Sequence, residues 1–286
     1  MKKNKAIITA VSNKFFPSVL NLINSIRANY DENIDIFVYD LGLSYTFRKE
    51  LEHVKSVYVI NMPQFCPHWR SCYTWKTYIF TKPLAMYNLY LDAGCQIGGA
   101  LDATFAAIQK NGYFVIDQGV SLSDIVPIEY KRLFQINNKF YNESCVDAGV
   151  FGFDSSEEVN EVAMCTYDAA VAGLSLGFSK RDAWRNKDKD KNIFVRGCVQ
   201  FRHDLTLLNI FLRKKIGDLD VSTANNILKI RMNYRRLRYV NDKMTYTRNI
   251  SVTKWINRLV LNSFIVLRGC SLKLRGKKDV PYMDLK

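Results

Sequence analysis

The order of short apolar runs and helix-like segments in the first sixty residues constrains the fold most strongly. Residues 6–11, 34–39 and 57–60 are short apolar runs typical of buried strands. Between them, apolar residues recur at helical spacing over 17–28, and Ser44 can cap a helix over 47–54. This alternation predicts parallel β-α-β units with right-handed crossovers. We therefore predict an α/β fold with a mainly parallel sheet flanked by helices.

The rest of the chain continues the same alternation. We predict helices over 75–87, 101–109, 155–172 and 201–215, and strands over 89–91, 113–116 and 146–154. The aromatic and charged stretch 120–143 indicates loops over a site rather than core. The stretch 179–192 is dense in Lys, Arg and Asp and predicts an exposed loop.

An acidic residue ends the strand predicted at 89–91. Asp92 is followed by the small residues Ala93 and Gly94. Ligands of α/β proteins bind beside the carboxyl ends of the sheet strands, so Asp92 is a candidate binding residue. The alternative is that Asp92 only caps the next turn.

Several site classes are not supported by the sequence. No Gly-x-Gly-x-x-Gly follows the first strand, so the phosphate-binding turn of dinucleotide oxidoreductases is missing. The seven cysteines include no Cys-x-x-Cys pair, and only three histidines accompany them, which favours reduced thiols over a zinc site or disulfide framework. We expect a cytoplasmic protein.

The positive charge is concentrated in the last fifth of the chain. Residues 229–286 carry 15 Lys plus Arg against 3 Asp, a net charge of +12 out of +14. We predict a main domain over 1–228 and a basic, aromatic extension over 229–286 that is drawn to an anionic surface such as the cytoplasmic face of a membrane. The apolar strip 255–267 is too short to span a bilayer and fits an interfacial segment. A solvated basic face is the alternative, and no nucleic-acid module accompanies the tail.

Three motifs in order resemble a known enzyme class. They are Leu91-Asp92-Ala93-Gly94, Asp147-Ala148-Gly149-Val150-Phe151 and the helix start Asp204-Leu-Thr-Leu-Leu-Asn209. Over residues 5–215 the chain resembles nucleotide-sugar glycosyltransferases of the GT-A fold, particularly family-8-type enzymes. It is also similar to a less characterised group of glycosyltransferase-like sequences with an Asp-Ala-Gly strand end. The resemblance implies a GT-A-like fold, with a mixed, mainly parallel sheet flanked by helices, and a nucleoside diphosphate sugar, such as a UDP-sugar, as donor.

The resemblance also implies roles for individual residues on the donor side. Thr9, Ala10, Val11 and Asp40 would line the base and ribose pocket, and Trp75, Lys76, Asp92, Ala93 and Gly94 would lie on the diphosphate side. Two alternatives stay open: Asp40 can simply cap the turn 41–44, and Lys76 can be an exposed helix lysine.

A divalent cation, Mn²⁺ or Mg²⁺, is implied at Asp92. Gly94 stands where the family-8 pattern has a second Asp, and His203 is the histidine placed to stand in as a ligand. The alternative for His203 is a structural hydrogen bond.

Asp147 and Asp204 are the candidate catalytic carboxylates, and Glu143 is a further residue that could face the acceptor. Capping of the helix start is the alternative for Asp204. Leu205 replaces the Gln of the family pattern, which leaves a retaining or an inverting course open.

The function implied is a hexosyltransferase-like enzyme that moves a sugar onto a glycan or glycolipid acceptor, as in lipopolysaccharide or capsule biosynthesis. The alternative is a non-catalytic nucleotide-sugar-binding protein that docks at an anionic surface.

Overall fold

The first half of the chain alternates strands and helices as predicted. The computed structural model describes residues 4–31, 33–177, 198 and 201–221, together with the backbone of 230–232. The first elements are strand β1 (Lys5–Val11), helix α1 (Phe16–Asn29), strand β2 (Asp35–Asp40), helix α2 (Tyr45–Glu52) and strand β3 (Val57–Asn61). The Ser44 hydroxyl accepts a 3.4 Å hydrogen bond from the Phe47 N–H at the start of α2, which confirms the predicted cap.

The second half adds the elements that surround Asp92. Helix α3 (Thr74–Phe80) precedes strands β4 (Tyr87–Leu91) and β5 (Cys95–Ile97), helix α4 (Asp102–Asn111) and strand β6 (Tyr113–Ser121). Short helices α5 (Leu122–Ile125), α6 (Ile128–Leu133) and α7 (Asn138–Tyr141) lead to strand β7 (Ser144–Phe153) and helix α8 (Glu157–Val171). Helix α9 (Asp204–Lys215) and strand β8 (Ile230–Met232) follow.

Six of the strands form one mixed sheet in the order β3-β2-β1-β4-β7-β6. Strands β1 to β4 are parallel to one another, whereas β7 runs antiparallel to both β4 and β6. The mixed, mainly parallel α/β class is therefore confirmed. Because β7 runs in the opposite direction, its beginning lies at the same edge as the carboxyl ends of β1, β2 and β4. Asp92 and Asp147 meet at that edge.

Aromatic packing fixes α3 against this sheet. The ring of Phe80, at the end of α3, lies 5.4 Å from the Tyr90 ring and 5.0 Å from the Phe151 ring, both edge to face. All three side chains are fully buried. Edge-to-face pairs are worth about 0.5–1.5 kcal/mol beyond their buried area. These contacts therefore hold α3, whose first turn carries Lys76, against strands β4 and β7.

Three predicted elements differ from the structure. The helix predicted over 75–87 ends at Phe80, because Pro83 disfavours helical backbone at the residue before it and cannot donate a helix hydrogen bond. The stretch 120–143 forms three short helices, and several of its apolar side chains, including Ile125 and Tyr130, are buried in the core rather than in loops. Helix α9 begins at Asp204, so Arg202 and His203 precede it.

A second, two-stranded sheet joins β5 to β8 in antiparallel pairing. Strand β8 is the only part of the basic extension within the described residues, so the strip 255–267 and the loop 179–192 lie outside them. The division at 228/229 stays a prediction. Among the helices that the structure describes, none has the length and apolar character needed to cross a membrane.

Candidate active site

A buried ammonium group is surrounded by acidic side chains at the carboxyl edge of the sheet. Lys76 Nζ lies 3.1 Å from Asp92 Oδ1 and 3.2 Å from Asp204 Oδ2. It also donates hydrogen bonds to Asp92 Oδ2 and to the Ala148 carbonyl, each of 3.3 Å. The side chains of Lys76 and Asp204 are only 4% and 5% exposed, whereas that of Asp92 is 31% exposed. Asp92 is therefore the acid of this pair that a ligand can reach.

Asp92 is held from both its backbone and its side chain. Its N–H donates a 2.8 Å hydrogen bond to the Gly149 carbonyl of β7, and its carbonyl accepts one from the Cys95 N–H. The Tyr90 hydroxyl donates a 2.6 Å hydrogen bond to Asp92 Oδ1. Sequence reasoning missed Tyr90, although a signal was present: side chains two residues apart along a strand point to the same side.

Asp147 presents a partly accessible carboxylate beside this pair. Its Oδ1 accepts a 2.7 Å hydrogen bond from the Gly149 N–H, and among the described residues its other oxygen accepts none. Burial raises the pKa of Asp147, a hydrogen bond from Gly149 opposes that rise, and the nearby Asp92 charge adds to it. Asp147 therefore combines an available oxygen with a raised pKa, as a general base requires.

Asp204 is buried at the first residue of α9. Lys76 Nζ is within ion-pair distance of its Oδ2, but no hydrogen bond of good geometry reaches that atom from the described residues, so the contact is ionic rather than directional. Burial raises the pKa of Asp204 to about 6, although the charge of Lys76 lowers it. The structure thus pairs Asp204 with a cation, while a hydrogen bond from the Leu205 N–H at the helix start also lowers its pKa.

Asn209 fixes α9, and with it Asp204, to β7. Its Oδ1 accepts a 2.7 Å hydrogen bond from the Val146 N–H, and its Nδ2 donates to the carbonyls of Val146 and Leu205. The Asn209 side chain is fully buried and forms hydrogen bonds with the buried N–H and carbonyl of Val146, the residue before Asp147. Asn209 therefore sets the spacing between Asp147 and Asp204.

The Lys76 ammonium stays charged because of its acidic neighbours. Burial alone would lower the pKa of Lys76, but the charges of Asp204 and Asp92 outweigh it and raise the pKa well above its ordinary value. Its Nζ also lies 5.4 to 5.8 Å from the ring centres of three aromatic residues, Tyr73, Trp75 and Tyr90. The predicted exposed-lysine alternative for Lys76 is wrong, since the side chain is buried.

His203 makes the contacts of a structural histidine. Its Nδ1 lies 2.8 Å from the Ser175 carbonyl, which can only accept, so Nδ1 carries the proton. Its ring contacts those of Tyr73 and Phe201, and burial lowers its pKa. Its backbone has φ 54° and ψ −117°, a region that non-glycine residues rarely adopt.

The predicted base and ribose residues occupy the neighbouring strand ends. The side chains of Thr9, Ala10 and Val11 are buried, so a ligand would reach the loops that follow rather than these side chains. Asp40 Oδ1 accepts hydrogen bonds from the N–H groups of Gly42 and Leu43, at 2.8 and 2.6 Å, and its Oδ2 lies 3.1 Å from Arg48 Nη1. Asp40 therefore caps the turn, as the alternative interpretation stated.

Arg70 is a residue at this edge that sequence reasoning missed. Its exposed guanidinium donates to the Leu41 carbonyl and lies 5.1 Å from the Trp69 ring. Gly42 has φ 109°, a backbone conformation that strains residues with a side chain, and a Cβ there would also overlap the Arg70 guanidinium. Arg70 places a positive charge beside the turn that Asp40 caps.

The remaining predicted donor-side residues differ in exposure. Trp75 and Ala93 are buried, and Gly94 is half-buried in the turn after Asp92. Within the part of the chain that the structure describes, no three His, Cys, Asp or Glu side chains are grouped as a set of metal ligands. The structure thus brings Lys76, Asp92, Asp147 and Asp204 together, and gives His203 and Asp40 other partners.

Comparison with known proteins gives matches in structure alone. No family model matches the sequence, and no curated protein matches it.

Solved structures with similar folds include three glycosyltransferases. One is the apo structure of the bifunctional glycosyltransferase WbbM, with TM-score 0.45 and 14% identity, covering 58% of this chain and 35% of that one. Another is the galactosyltransferase LgtC in complex with donor and acceptor sugar analogues, with TM-score 0.44 and 15% identity, covering 72% and 69%. The third is core-mannan synthase A from Aspergillus fumigatus in a Mn/GDP form, with TM-score 0.46 and 12% identity, covering 74% and 70%. The chain therefore spans about a third of the WbbM structure, and likenesses of this size assign no activity to it.

Proposed function

We propose that this protein is a GT-A-like glycosyltransferase that moves a sugar from a nucleoside diphosphate to a hydroxyl group of a glycan or glycolipid. One observation carries the proposal: Asp92 and Asp147 lie close together at the carboxyl edge of the sheet, beside the buried Lys76. Both carboxylates keep accessible surface, and the edge is where α/β proteins bind ligands. In a sugar transfer, one carboxylate of such a pair can act on the side of the leaving diphosphate and the other on the side of the incoming hydroxyl.

Asp147 serves the acceptor in this proposal. The acceptor hydroxyl oxygen forms a bond to the anomeric carbon of the donor sugar, and the bond from that carbon to the diphosphate oxygen breaks. The electron pair of the broken bond stays on the diphosphate, and the hydroxyl proton passes to the free oxygen of Asp147. The raised pKa of Asp147 makes it a stronger proton acceptor than an ordinary aspartate.

Asp92 fits a divalent cation that arrives with the nucleotide. Mg²⁺ in nucleotide sites is commonly held by one or two carboxylates plus substrate phosphates, and Asp92 offers one accessible carboxylate. Three carboxylates, Asp92, Asp147 and Asp204, also outnumber the single buried ammonium of Lys76. A bound Mn²⁺ or Mg²⁺ would neutralise charge that develops on the leaving diphosphate. The proposal rests on Asp92; the Nδ1 of His203 is taken by the Ser175 carbonyl, and a role of His203 as a second ligand stays a prediction.

Donor binding and hydrolysis test this function. A thermal-shift screen with UDP-, GDP-, CMP- and TDP-sugars, with Mn²⁺, Mg²⁺ or EDTA, should find one nucleotide class that raises the melting temperature. Slow hydrolysis of that donor should be lost in Asp92→Asn and kept in Asp168→Asn, an exposed aspartate of α8. Donor binding without hydrolysis, equal in both variants, would instead indicate a nucleotide-sugar-binding protein that is not an enzyme.

We further propose that the basic extension, residues 229–286, holds the protein at an anionic membrane surface in the cytoplasm, where lipid-linked acceptors are presented. Its net charge of +12 and its aromatic residues support this role. Strand β8, near its start, pairs with β5, which begins three residues after Asp92. Sedimentation with anionic vesicles but not with neutral ones is the expected result. Equal binding to both would contradict it.

A further inference from the structure

We propose that Lys76 is a positioning residue: its ammonium group fixes Asp92 and Asp204 relative to each other and makes no direct contact with the donor diphosphate. This role rests on the proposed function for the identity of the ligand. The contacts that carry it are made by the protein's own side chains and backbone. This role differs from the one implied by the family resemblance, in which the Lys76 ammonium would contact the donor diphosphate directly.

The Lys76 ammonium is already surrounded by protein oxygens. Two of its three N–H donors are used in hydrogen bonds to Asp92 Oδ2 and the Ala148 carbonyl, each of 3.3 Å. Asp92 Oδ1 and Asp204 Oδ2 are ion-pair contacts at 3.1 and 3.2 Å. A phosphate oxygen would have to compete with these two carboxylate oxygens for the third N–H.

The surroundings of Lys76 also exclude a phosphate. Its side chain is 4% exposed, and the three aromatic rings lie beside the ammonium. The ionisable groups that act on it electrostatically include Asp92, Asp147, Asp204, Tyr73 and Cys95. A second anion would have to enter a site that is already rich in negative charge.

Lys76 connects four separate elements. It lies in the first turn of α3, and its partners are the residue after β4, a carbonyl of β7 and the first residue of α9. The start of α3 is anchored independently by a 2.6 Å hydrogen bond between the hydroxyl groups of Thr74 and Ser175. The ammonium is therefore placed by α3 and in turn sets the distance between two carboxylates that lie 112 positions apart in the sequence.

Substitution of Lys76 distinguishes a positioning role of its ammonium group from direct binding of phosphate. Lys76→Met keeps most of the side-chain length but leaves Asp204 buried without a counter-charge, which buried acids tolerate poorly. The double variant Lys76→Met/Asp204→Asn removes both charges. We expect the double variant to melt at a higher temperature than Lys76→Met in metal-free buffer with EDTA. If the second substitution gives no recovery, or if the two effects simply add, the proposed coupling is absent. The double variant remains informative if Lys76→Met does not fold.

Chemical rescue gives a second readout. In Lys76→Ala, ethylamine or propylamine should raise the melting temperature in a saturable way, because a small ammonium can occupy the vacated position. Tetramethylammonium, which has no N–H donor, should not. The same amines should leave Lys110→Ala, an exposed lysine of α4, unchanged. Equal effects of all amines on both variants would overturn the proposal.

Nucleoside diphosphate affinity completes the test. UDP and GDP should bind Lys76→Met less than about tenfold more weakly than the wild type in metal-free buffer, since a lost hydrogen bond to a charged group costs about tenfold or more. A larger loss would indicate direct phosphate contact. If neither nucleotide binds the wild type with or without Mn²⁺, the proposed function fails, whereas the melting and rescue results still decide the role of Lys76.

Discussion

Tyr90 and Asp92 lie two residues apart on one side of the end of β4, and the Tyr90 hydroxyl donates a 2.6 Å hydrogen bond to Asp92 Oδ1. Burial raises the pKa of Tyr90 well above its ordinary value, so the phenol keeps its proton and remains a donor across the physiological range. The most accessible acid of the buried ion-pair cluster is thus oriented by a neighbour from its own strand.

Removing this hydroxyl should weaken the site without disturbing the core. Tyr90→Phe keeps the ring that packs on Phe80 and deletes one hydrogen bond to a charged group, worth about 1.5–3 kcal/mol. We expect donor turnover to fall by about tenfold or more, while the circular dichroism spectrum stays that of the wild type. Tyr58→Phe, on the exposed part of β3, is the matched control and should keep full turnover. Unchanged turnover in Tyr90→Phe would mean that the hydroxyl does not orient Asp92 for function.

Asp204 should make stability depend on pH between about 4 and 6. The folded protein keeps the Asp204 proton up to a pKa of about 6, whereas an unfolded aspartate releases it near pH 4. The folded state therefore binds more protons in this window, and stability falls as pH rises through it, by about 3 kcal/mol in total.

The variant Asp204→Asn cannot titrate and should lack this component. Its unfolding free energy relative to the wild type should rise as pH increases from 4 to 7, as followed by urea denaturation at each pH. Asp168→Asn, on the exposed side of α8, should keep the wild-type slope. Identical slopes for the wild type and Asp204→Asn would mean that folding does not raise the pKa of Asp204.

Asn209 should be essential for the attachment of α9 to β7. In Asn209→Ala the Val146 N–H and carbonyl lose their side-chain partner in a buried position. Leaving a buried polar group unsatisfied costs about 1–3 kcal/mol, so we expect a loss of at least about 2 kcal/mol in unfolding free energy. Chemical denaturation measures this loss, with Asn160→Ala on the exposed face of α8 as the control. A loss as small as that of the control would mean that water replaces the amide.

Gly152 should not tolerate a side chain. A Cβ at this position of β7 would lie 2.6 Å from side-chain atoms of Ile108 and 2.7 Å from the Cβ of Phe114. Overpacking of a core typically costs about 1–3 kcal/mol, so Gly152→Ala should lower the melting temperature. The double variant Gly152→Ala/Ile108→Val should recover part of the loss, because it removes one of the overlapping methyl groups. No recovery would place the strain elsewhere, for instance at Phe114.

Local sequence patterns predicted most of the fold and part of the candidate site. Apolar periodicity and the Ser44 cap predicted the first five elements to within two residues, because both signals depend on neighbours in sequence. The prediction failed at the end of α3, where Pro83 outweighs helical spacing. It also failed over 120–143, where short helices pack into the core despite their polar composition.

The sequence by itself determined the β-α-β order and the position of Asp92 after a core strand. The reason is that the spacing of apolar residues along the chain distinguishes strands from helices and gives their order. Only the tertiary structure decided what each acid does. Asp40 turns back to cap its own loop, whereas Asp204 is buried against Lys76. Asp147 keeps one oxygen without a hydrogen bond from the described residues. Burial and ion pairing depend on contacts between residues far apart in sequence, so the antiparallel β7 and the packing of α9 had to be known before these roles could be distinguished.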